Sequence, residues 1–172
     1  DFCLSRGLGD VYKRQGLWND VTLQTRGLVT DDKGNIVARP FKKFFNMEEG
    51  KHTPTSDFEV YDKIDGSLGI FFYYEGTWIM ATRGSFTSDQ SVKGYEMMFK
   101  YNFDKLHKDY TYLFEIIYNE NRIVVRYPFE DLVLLGMINT KTGYEVKLFD
   151  VDDETIRYAK TQITKRRSDM TC

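Results

Sequence analysis

The stretch of residues 61–69 constrains the fold most, because it places a tight turn between two apolar runs. Phe58 and Val60 precede it with alternating spacing and residues 70–74 follow it, which predicts a turn between two strands. Within the turn, Lys-Ile-Asp-Gly (residues 63–66) puts an amine and a carboxylate beside a glycine, which lets the backbone turn where a side chain would clash. The pattern predicts a lysine held at a strand end, and it leaves open a simple hairpin with a surface lysine.

The composition limits the class of protein. A chain of 172 residues is long enough for one domain with a core, and its 13 Phe and 12 Tyr favour β-sheet. The net charge of −2 excludes a surface covered in positive charge, but it leaves room for a local basic groove that binds a polyanion. Cys3 and Cys172 lie at opposite ends of the chain, so neither a disulfide framework nor a zinc site is indicated, and a reducing intracellular setting fits best.

The apolar runs and the first residues of the chain indicate its setting and where the domain begins. No run approaches about 18 apolar residues and no basic-then-apolar leader opens the chain, so we expect a protein that is neither membrane-spanning nor secreted. Residues 1–15 begin without methionine and show no periodicity that leads into the next segment. We interpret residues 1–15 as a non-native or disordered tail and residues 16–172 as the domain.

Alternating apolar and polar residues predict a series of β-strands along the domain. The predicted strands are residues 21–30, 36–39, 69–74, 77–82, 110–118, 123–127, 132–138 and 144–148. Helices are predicted over residues 89–100, with Ser88 as N-cap, and over residues 152–162, with a helical turn and loop in residues 47–57.

Three charged residues stand out beside these strands. Arg39 opens the block Arg-Pro-Phe-Lys-Lys-Phe-Phe-Asn (residues 39–46), and because proline fixes its exit direction it is the best candidate there for a phosphate contact. A solvated basic face is the alternative for this block. Arg83 ends the strand of residues 77–82 and brings a second cation towards Lys63. Glu115 stands within an apolar strand, which is costly unless the carboxylate is paired, functional, or on an edge strand facing water.

Five blocks taken together resemble one family. They are residues 39–46, Lys-Ile-Asp-Gly-Ser at 63–67, Thr-Arg-Gly-Ser at 82–85, Phe-Glu-Ile-Ile at 114–117 and Asn-Arg-Ile-Val at 121–124. Over about residues 20–150 the chain resembles the adenylation domain of ATP-dependent RNA ligases, closest to the T-even phage RNA ligase 1 group. DNA ligases and RNA-capping guanylyltransferases share the lysine motif and remain alternatives, but the blocks at 39–46 and 121–124 are more restrictive. The resemblance implies an α+β nucleotidyltransferase (ATP-grasp-like) fold, with antiparallel sheets flanked by helices and ATP bound between the sheets.

The resemblance also implies a chemistry for these residues. Lys63 would attack the α-phosphorus of ATP, expel pyrophosphate and hold AMP as a phosphoramidate, which requires the neutral amine. Arg39 and Arg83 would contact the nucleotide phosphates, and Mg²⁺ would complete their neutralisation, although the sequence assigns no metal ligands. AMP would then pass to an RNA 5′-phosphate, and a 3′-hydroxyl would displace it. The remaining implied roles are a ribose hydrogen bond for Glu115 and shaping of the lysine loop for Asp65 and Gly66.

The chain departs from the family pattern in two respects. Arg83 stands where relatives tend to have lysine, which preserves the charge but not the geometry. Two later family motifs, a Glu-Gly-x-x strand and a Lys-x-Lys strand, have no match, and we expect both to lie beyond Cys172. We therefore expect this chain alone to be inactive in ligation. We expect the whole protein to be a monomer that acts on RNA ends. We expect it in the cytoplasm of a phage or its host, away from membranes. The alternative function is a non-catalytic nucleotide-binding module.

Overall fold

Two antiparallel sheets form the framework of the part of the chain that this computed structural model describes, which comprises residues 3–4, 18–46, 49 and 63–146. The smaller sheet has the strand order β1-β2-β3, with β1 Cys3–Leu4, β2 Val29–Thr30 and β3 Ile36–Ala38. The larger sheet has the order β5-β4-β6-β7-β8, with β4 Ser67–Tyr74, β5 Thr77–Thr82, β6 Tyr110–Ile117, β7 Asp131–Asn139 and β8 Glu145–Val146. The predicted α+β architecture with antiparallel sheets is confirmed, and the described residues contain few helices beside them.

Two α-helices accompany the sheets in the described ranges, α1 (Asp20–Gln24) and α2 (Asp89–Met98). Helix α2 was predicted, and it begins as expected at Ser88, whose hydroxyl accepts a hydrogen bond from the Ser91 amide. Short 3₁₀ turns lie at Phe103–Lys105 and Asn119–Asn121. Neither α-helix is long and apolar enough to cross a membrane.

The larger sheet is covered on both faces, because successive side chains of a strand point to opposite sides. On one face Phe71, Tyr112 and Phe114 pack with Met97 and Met98 of α2. The opposite face packs against the smaller sheet, in a cluster formed by Val29, Val37, Ala38, Ile70, Phe72 and Leu113. The larger sheet is therefore the central layer between α2 and the smaller sheet.

The prediction of one strand over residues 21–30 is wrong except at its last two residues. The Asn19 side chain accepts hydrogen bonds from the Val21 and Thr22 amides, and Thr22 Oγ1 accepts one from the Asn19 amide. This reciprocal capping box starts helix α1, and only Val29–Thr30 is a strand. The local cap therefore overrides the alternation of apolar residues.

The prediction of a strand over residues 123–127 is also wrong. No strand forms between the turn Asn119–Asn121 and β7 at Asp131, and Ile123 and Val124 are 68% and 79% exposed. The other predicted strands within the described ranges are confirmed to within a few residues. The predicted helix at 152–162, the lead-in at Phe58 and Val60 and nearly all of residues 47–57 lie outside the described residues. Within the predicted tail only residues 3–4 are described, as β1, so its interpretation stays a prediction.

Gly136 connects the block of residues 39–46 to the central sheet. It pairs with Leu113 on β6, and a Cβ added to it would lie 2.6 Å from Cζ of Phe41 and 2.8 Å from Cε1. The half-buried Phe41 ring therefore packs directly on the glycine backbone.

We expect Gly136→Ala to destabilise the fold by about 1–3 kcal/mol, because the Phe41 ring must move to admit the methyl group. In a Phe41→Ala background the same substitution should cost much less, since the clash is gone. Urea unfolding of the two single variants and the double variant measures this coupling. Equal costs of Gly136→Ala in both backgrounds would show that the ring contact is not the reason for the glycine.

Candidate functional site

The loop that carries Lys63 lies at the end of the central sheet, directly before β4. The Lys63 side chain is exposed, while Asp65 and Gly66 are half-buried. A Cβ added to Gly66 would lie 2.6 Å from the Ile116 carbonyl oxygen and 3.1 Å from Cγ of Glu115. Gly66 does not have a positive φ, so it is required here for its close approach to β6 and not for a left-handed turn.

Asp65 fastens this loop to the segment of residues 121–127. Its Oδ2 accepts hydrogen bonds from the Val124 and Val125 amides, each at 2.7 Å. The Asp65 amide in turn donates to the Tyr127 hydroxyl oxygen at 3.0 Å. The amides of Val125 and Val124, with a smaller effect of the nearby Lys63 ammonium, lower the pKa of the Asp65 carboxyl. Residues 123–125 therefore use their backbone to hold the loop, which leaves their side chains facing outwards.

A second connection holds the other side of Gly66. The Ser67 hydroxyl donates to Oδ1 of Asn121 at 3.0 Å, and Nδ2 of Asn121 donates to the Ile116 carbonyl at 3.2 Å. Neither Asn121 nor Tyr127 was predicted from the sequence to be a site residue. Asn121 stood in the block that identified the resemblance, but nothing in the pattern indicated which atoms it would join.

Glu115 lies across β6 from the lysine loop. It pairs with Leu68 of β4 and with Val133 of β7, so β6 is an interior strand and the alternative of an edge-strand glutamate is excluded. Burial raises the pKa of Glu115 to about 7; Lys63 opposes this rise, Asp65 adds to it and the Gly66 amide opposes it. Glu115, Asp65 and Lys63 therefore form one electrostatic cluster.

Arg83 lies at the same end of the central sheet. It directly follows Thr82, which pairs with Gly69 near the start of β4. The Arg83 side chain is exposed, and its Cγ would be 3.2 Å from a Cβ added to Gly27. The structure thus brings Lys63, Arg83 and Glu115 to one end of the sheet.

Arg39 is the predicted site residue that the structure does not bring to this end. Its amide donates to Thr111 Oγ1 at 3.1 Å, its Nε to the Thr140 carbonyl at 2.6 Å and its Nη2 to the Lys141 carbonyl at 3.3 Å. Thr111 lies four residues before Glu115 on β6, which is about 13 Å along a strand. The guanidinium satisfies the carbonyls of the turn after β7, so its predicted phosphate contact stays a prediction.

We expect Asp65→Ala to accelerate hydrogen exchange at the Val124 and Val125 amides by about 10- to 100-fold, because each amide loses a charge-assisted acceptor. Exchange measured by NMR tests this. Asp31→Ala is the matched control, since Asp31 also accepts two backbone amides, within its own turn. Unchanged exchange at Val124 and Val125 in Asp65→Ala would contradict the fastening role.

The raised pKa of Glu115 predicts a stability that depends on pH. Between an ordinary pKa of 4.5 and the folded value of about 7, the folded state binds more protons than the unfolded state. The contribution of Glu115 to the free energy of unfolding is therefore complete below pH 4.5 and is lost as pH rises through 7. The two values correspond to about 3 kcal/mol, and partial exposure of the carboxyl reduces this to about 2 kcal/mol. Unfolding free energies of the unsubstituted protein and of Glu115→Gln, each at pH 5 and pH 8, measure this contribution. From pH 5 to pH 8 the variant should become more stable relative to the unsubstituted protein by about 2 kcal/mol. A pH-independent difference would contradict the burial argument.

Comparison with known proteins identifies the family. The profile of the family described as RNA ligase matches residues 24–169. A protein of Thermovibrio ammonificans named "Putative RNA ligase" is 30% identical over 148 residues, which cover 78% of this chain and 38% of that protein. A "Putative bifunctional polynucleotide kinase/RNA ligase" of Autographa californica nuclear polyhedrosis virus is 30% identical over 156 residues, covering 72% and 22% of the two chains. An RNA ligase of Rhodothermus phage RM378 is 24% identical over 171 residues, covering 71% and 39%.

The chain therefore spans between 22% and 39% of the length of these relatives. The family match extends over most of the chain, and it confirms the resemblance drawn from the five sequence blocks. The chain belongs to the RNA ligase family, in the group of the phage T4 RNA ligase 1.

Proposed function

We propose that this chain is the adenylylating part of an ATP-dependent RNA ligase that joins RNA 5′-phosphate and 3′-hydroxyl ends through a Lys63–AMP intermediate. The observation that carries the proposal is an exposed lysine on a loop that Asp65 fastens to Val124 and Val125. Gly66 brings this loop close to β6, beside the half-buried Glu115. An exposed amine can reach a ligand, and a fixed loop gives it a defined direction of attack.

The proposed reaction has three steps. Nζ of Lys63 forms a bond to the α-phosphorus of ATP, the bond to pyrophosphate breaks and the amine loses a proton. An oxygen of the RNA 5′-phosphate then attacks the same phosphorus, and the lysine leaves as the amine. In the last step an RNA 3′-hydroxyl attacks the activated 5′-phosphate, and AMP departs.

We assign the nucleotide contacts according to whether a residue lies at the same end of the central sheet as Lys63. Glu115 would bind a ribose hydroxyl, and Arg83 would bind phosphate because its exposed side chain lies at the lysine end. Arg39 would reach a phosphate only if its guanidinium left the Thr140 and Lys141 carbonyls. The geometry therefore favours Arg83 over Arg39 as the phosphate ligand in this conformation. A nucleotidyltransferase fold is part of the same proposal.

Magnesium fits the described part of the site only as an ion carried on the triphosphate of ATP. The described residues contain no group of three or more side chains able to ligate a metal, and Oδ2 of Asp65 already accepts two amides. Bound in this way, the ion would supply neutralisation of phosphate charge.

Two other functions share parts of this site. A DNA ligase or a capping guanylyltransferase would use the same lysine chemistry, and the family match over residues 24–169 favours RNA ligation over both. A non-catalytic module would bind ATP without forming a covalent adduct. The proposed setting is the cytoplasm of a phage-infected or other host cell, with the protein acting as a monomer on RNA ends.

We expect the natural protein that contains this chain to retain label from α-labelled ATP, and Lys63→Ala to retain none, because the nucleophile is gone. Mass mapping of the adduct measures this. Lys33→Ala, which removes another exposed lysine, is the matched control and should label normally.

Labelling with GTP in preference to ATP would instead indicate a capping enzyme, and sealing of DNA in preference to RNA would indicate a DNA ligase. Label that persists in Lys63→Ala would contradict the assignment of the nucleophile. ATP binding without any adduct would leave the non-catalytic module as the function.

A further inference from the structure

We propose that Asn121 and Tyr127 are positioning residues that set the rate at which Lys63 becomes adenylylated, although neither one needs to touch ATP. The inference rests on the proposed function and names residues that act through the lysine loop. It starts from the exposure of Lys63, because a side chain that faces solvent receives little guidance from packing. Within the described residues, its amine is directed through the backbone that follows it.

That backbone is held on both sides of Gly66 by side chains from one distant segment. On the lysine side, the Asp65 amide donates to the Tyr127 hydroxyl at 3.0 Å. On the β4 side, the Ser67 hydroxyl donates to the Asn121 side-chain oxygen at 3.0 Å. Two single hydrogen bonds thus flank Gly66, at which an added Cβ would meet the Ile116 carbonyl oxygen of β6.

Asn121 also ties the loop to the strand that carries Glu115. Its Nδ2 donates to the carbonyl oxygen of Ile116, the residue that follows Glu115, at 3.2 Å. This is the same carbonyl that a Cβ on Gly66 would approach to 2.6 Å. Asn121 therefore bridges the two strands at the Ser67–Ile116 pair, where the lysine loop enters β4 beside Glu115.

Tyr127 offers a clean way to test the lysine side. Its ring packs against Phe129 with a centroid distance of 5.3 Å, so Tyr127→Phe removes one oxygen and keeps this contact. The Asp65 carboxylate still accepts the Val124 and Val125 amides in that variant. The loop should then remain folded but be less well directed.

Reaction rates are sensitive to such a loss, because a misplacement of about 1 Å costs about 100-fold in a reaction that depends on orientation. Only the first step of the proposed reaction needs the Lys63 amine as nucleophile. The last step, in which an RNA 3′-hydroxyl attacks an RNA end that already carries AMP, does not. A positioning role therefore predicts that the first step slows while the last step does not.

The experiment measures both steps in the natural protein that contains this chain. Tyr127→Phe and Asn121→Ala should each slow single-turnover labelling of Lys63 at saturating ATP by about 10-fold or more. The ATP concentration for half-maximal rate should change less than about threefold, because the ATP contacts remain. Sealing of an RNA strand supplied with a pre-formed 5′-adenylate should stay within about twofold of the unsubstituted protein.

Tyr144→Phe is the matched control, since it removes a hydroxyl from an exposed tyrosine in the turn before β8. It should leave both steps unchanged. Labelling at the normal rate in Tyr127→Phe and Asn121→Ala would overturn the inference, and so would an equal loss of both steps, which would indicate a purely structural role. An unsubstituted protein that forms no Lys63 adduct would overturn the proposed function itself, so the two failures are distinguishable.

Discussion

The hydrogen bonds from the Val124 and Val125 amides to Asp65 are the interaction on which the rest of the site depends. A carboxylate that accepts two backbone amides is held firmly, because charge-assisted hydrogen bonds are short and strong. Here they join the loop that precedes β4 to the segment that follows β6. Strand pairing fixes Glu115 between β4 and β7, and the Asp65 junction holds the lysine loop at that same end of the sheet.

Much of the fold was predictable because alternation of apolar residues reports directly on strands that are buried on one or both faces. Strands β4 to β7 and helix α2 were found within a few residues of their bounds. The predictions failed where a local polar group outweighed the pattern. Asn19 starts a helix where alternation indicated a strand, and the apolar run of residues 123–125 gives its amides to Asp65 instead of to a neighbouring strand.

The roles of the candidate site residues stay predictions, and the sequence did not indicate the connections between them. The position of Glu115 within an apolar strand correctly indicated an unusual carboxyl, and burial does raise its pKa. The fixed exit direction of Arg39 did not reveal that the carbonyls of Thr140 and Lys141, about a hundred residues later, would take up the guanidinium. Asn121 and Tyr127 were missed because hydrogen bonds between distant residues leave no periodic signal in one sequence.

The bonds that hold the lysine loop connect residues 54 to 62 positions apart, and this has a consequence for how the site comes into being. Contacts of such long range form only after the intervening chain has been made and has closed a large loop. The hairpin of β4 and β5 can fold early, but the lysine loop before it then lacks its hydrogen bonds to residues 121–127. During synthesis the bonds that hold the lysine loop therefore cannot form until Tyr127 has left the ribosome, long after the hairpin of β4 and β5 has been made.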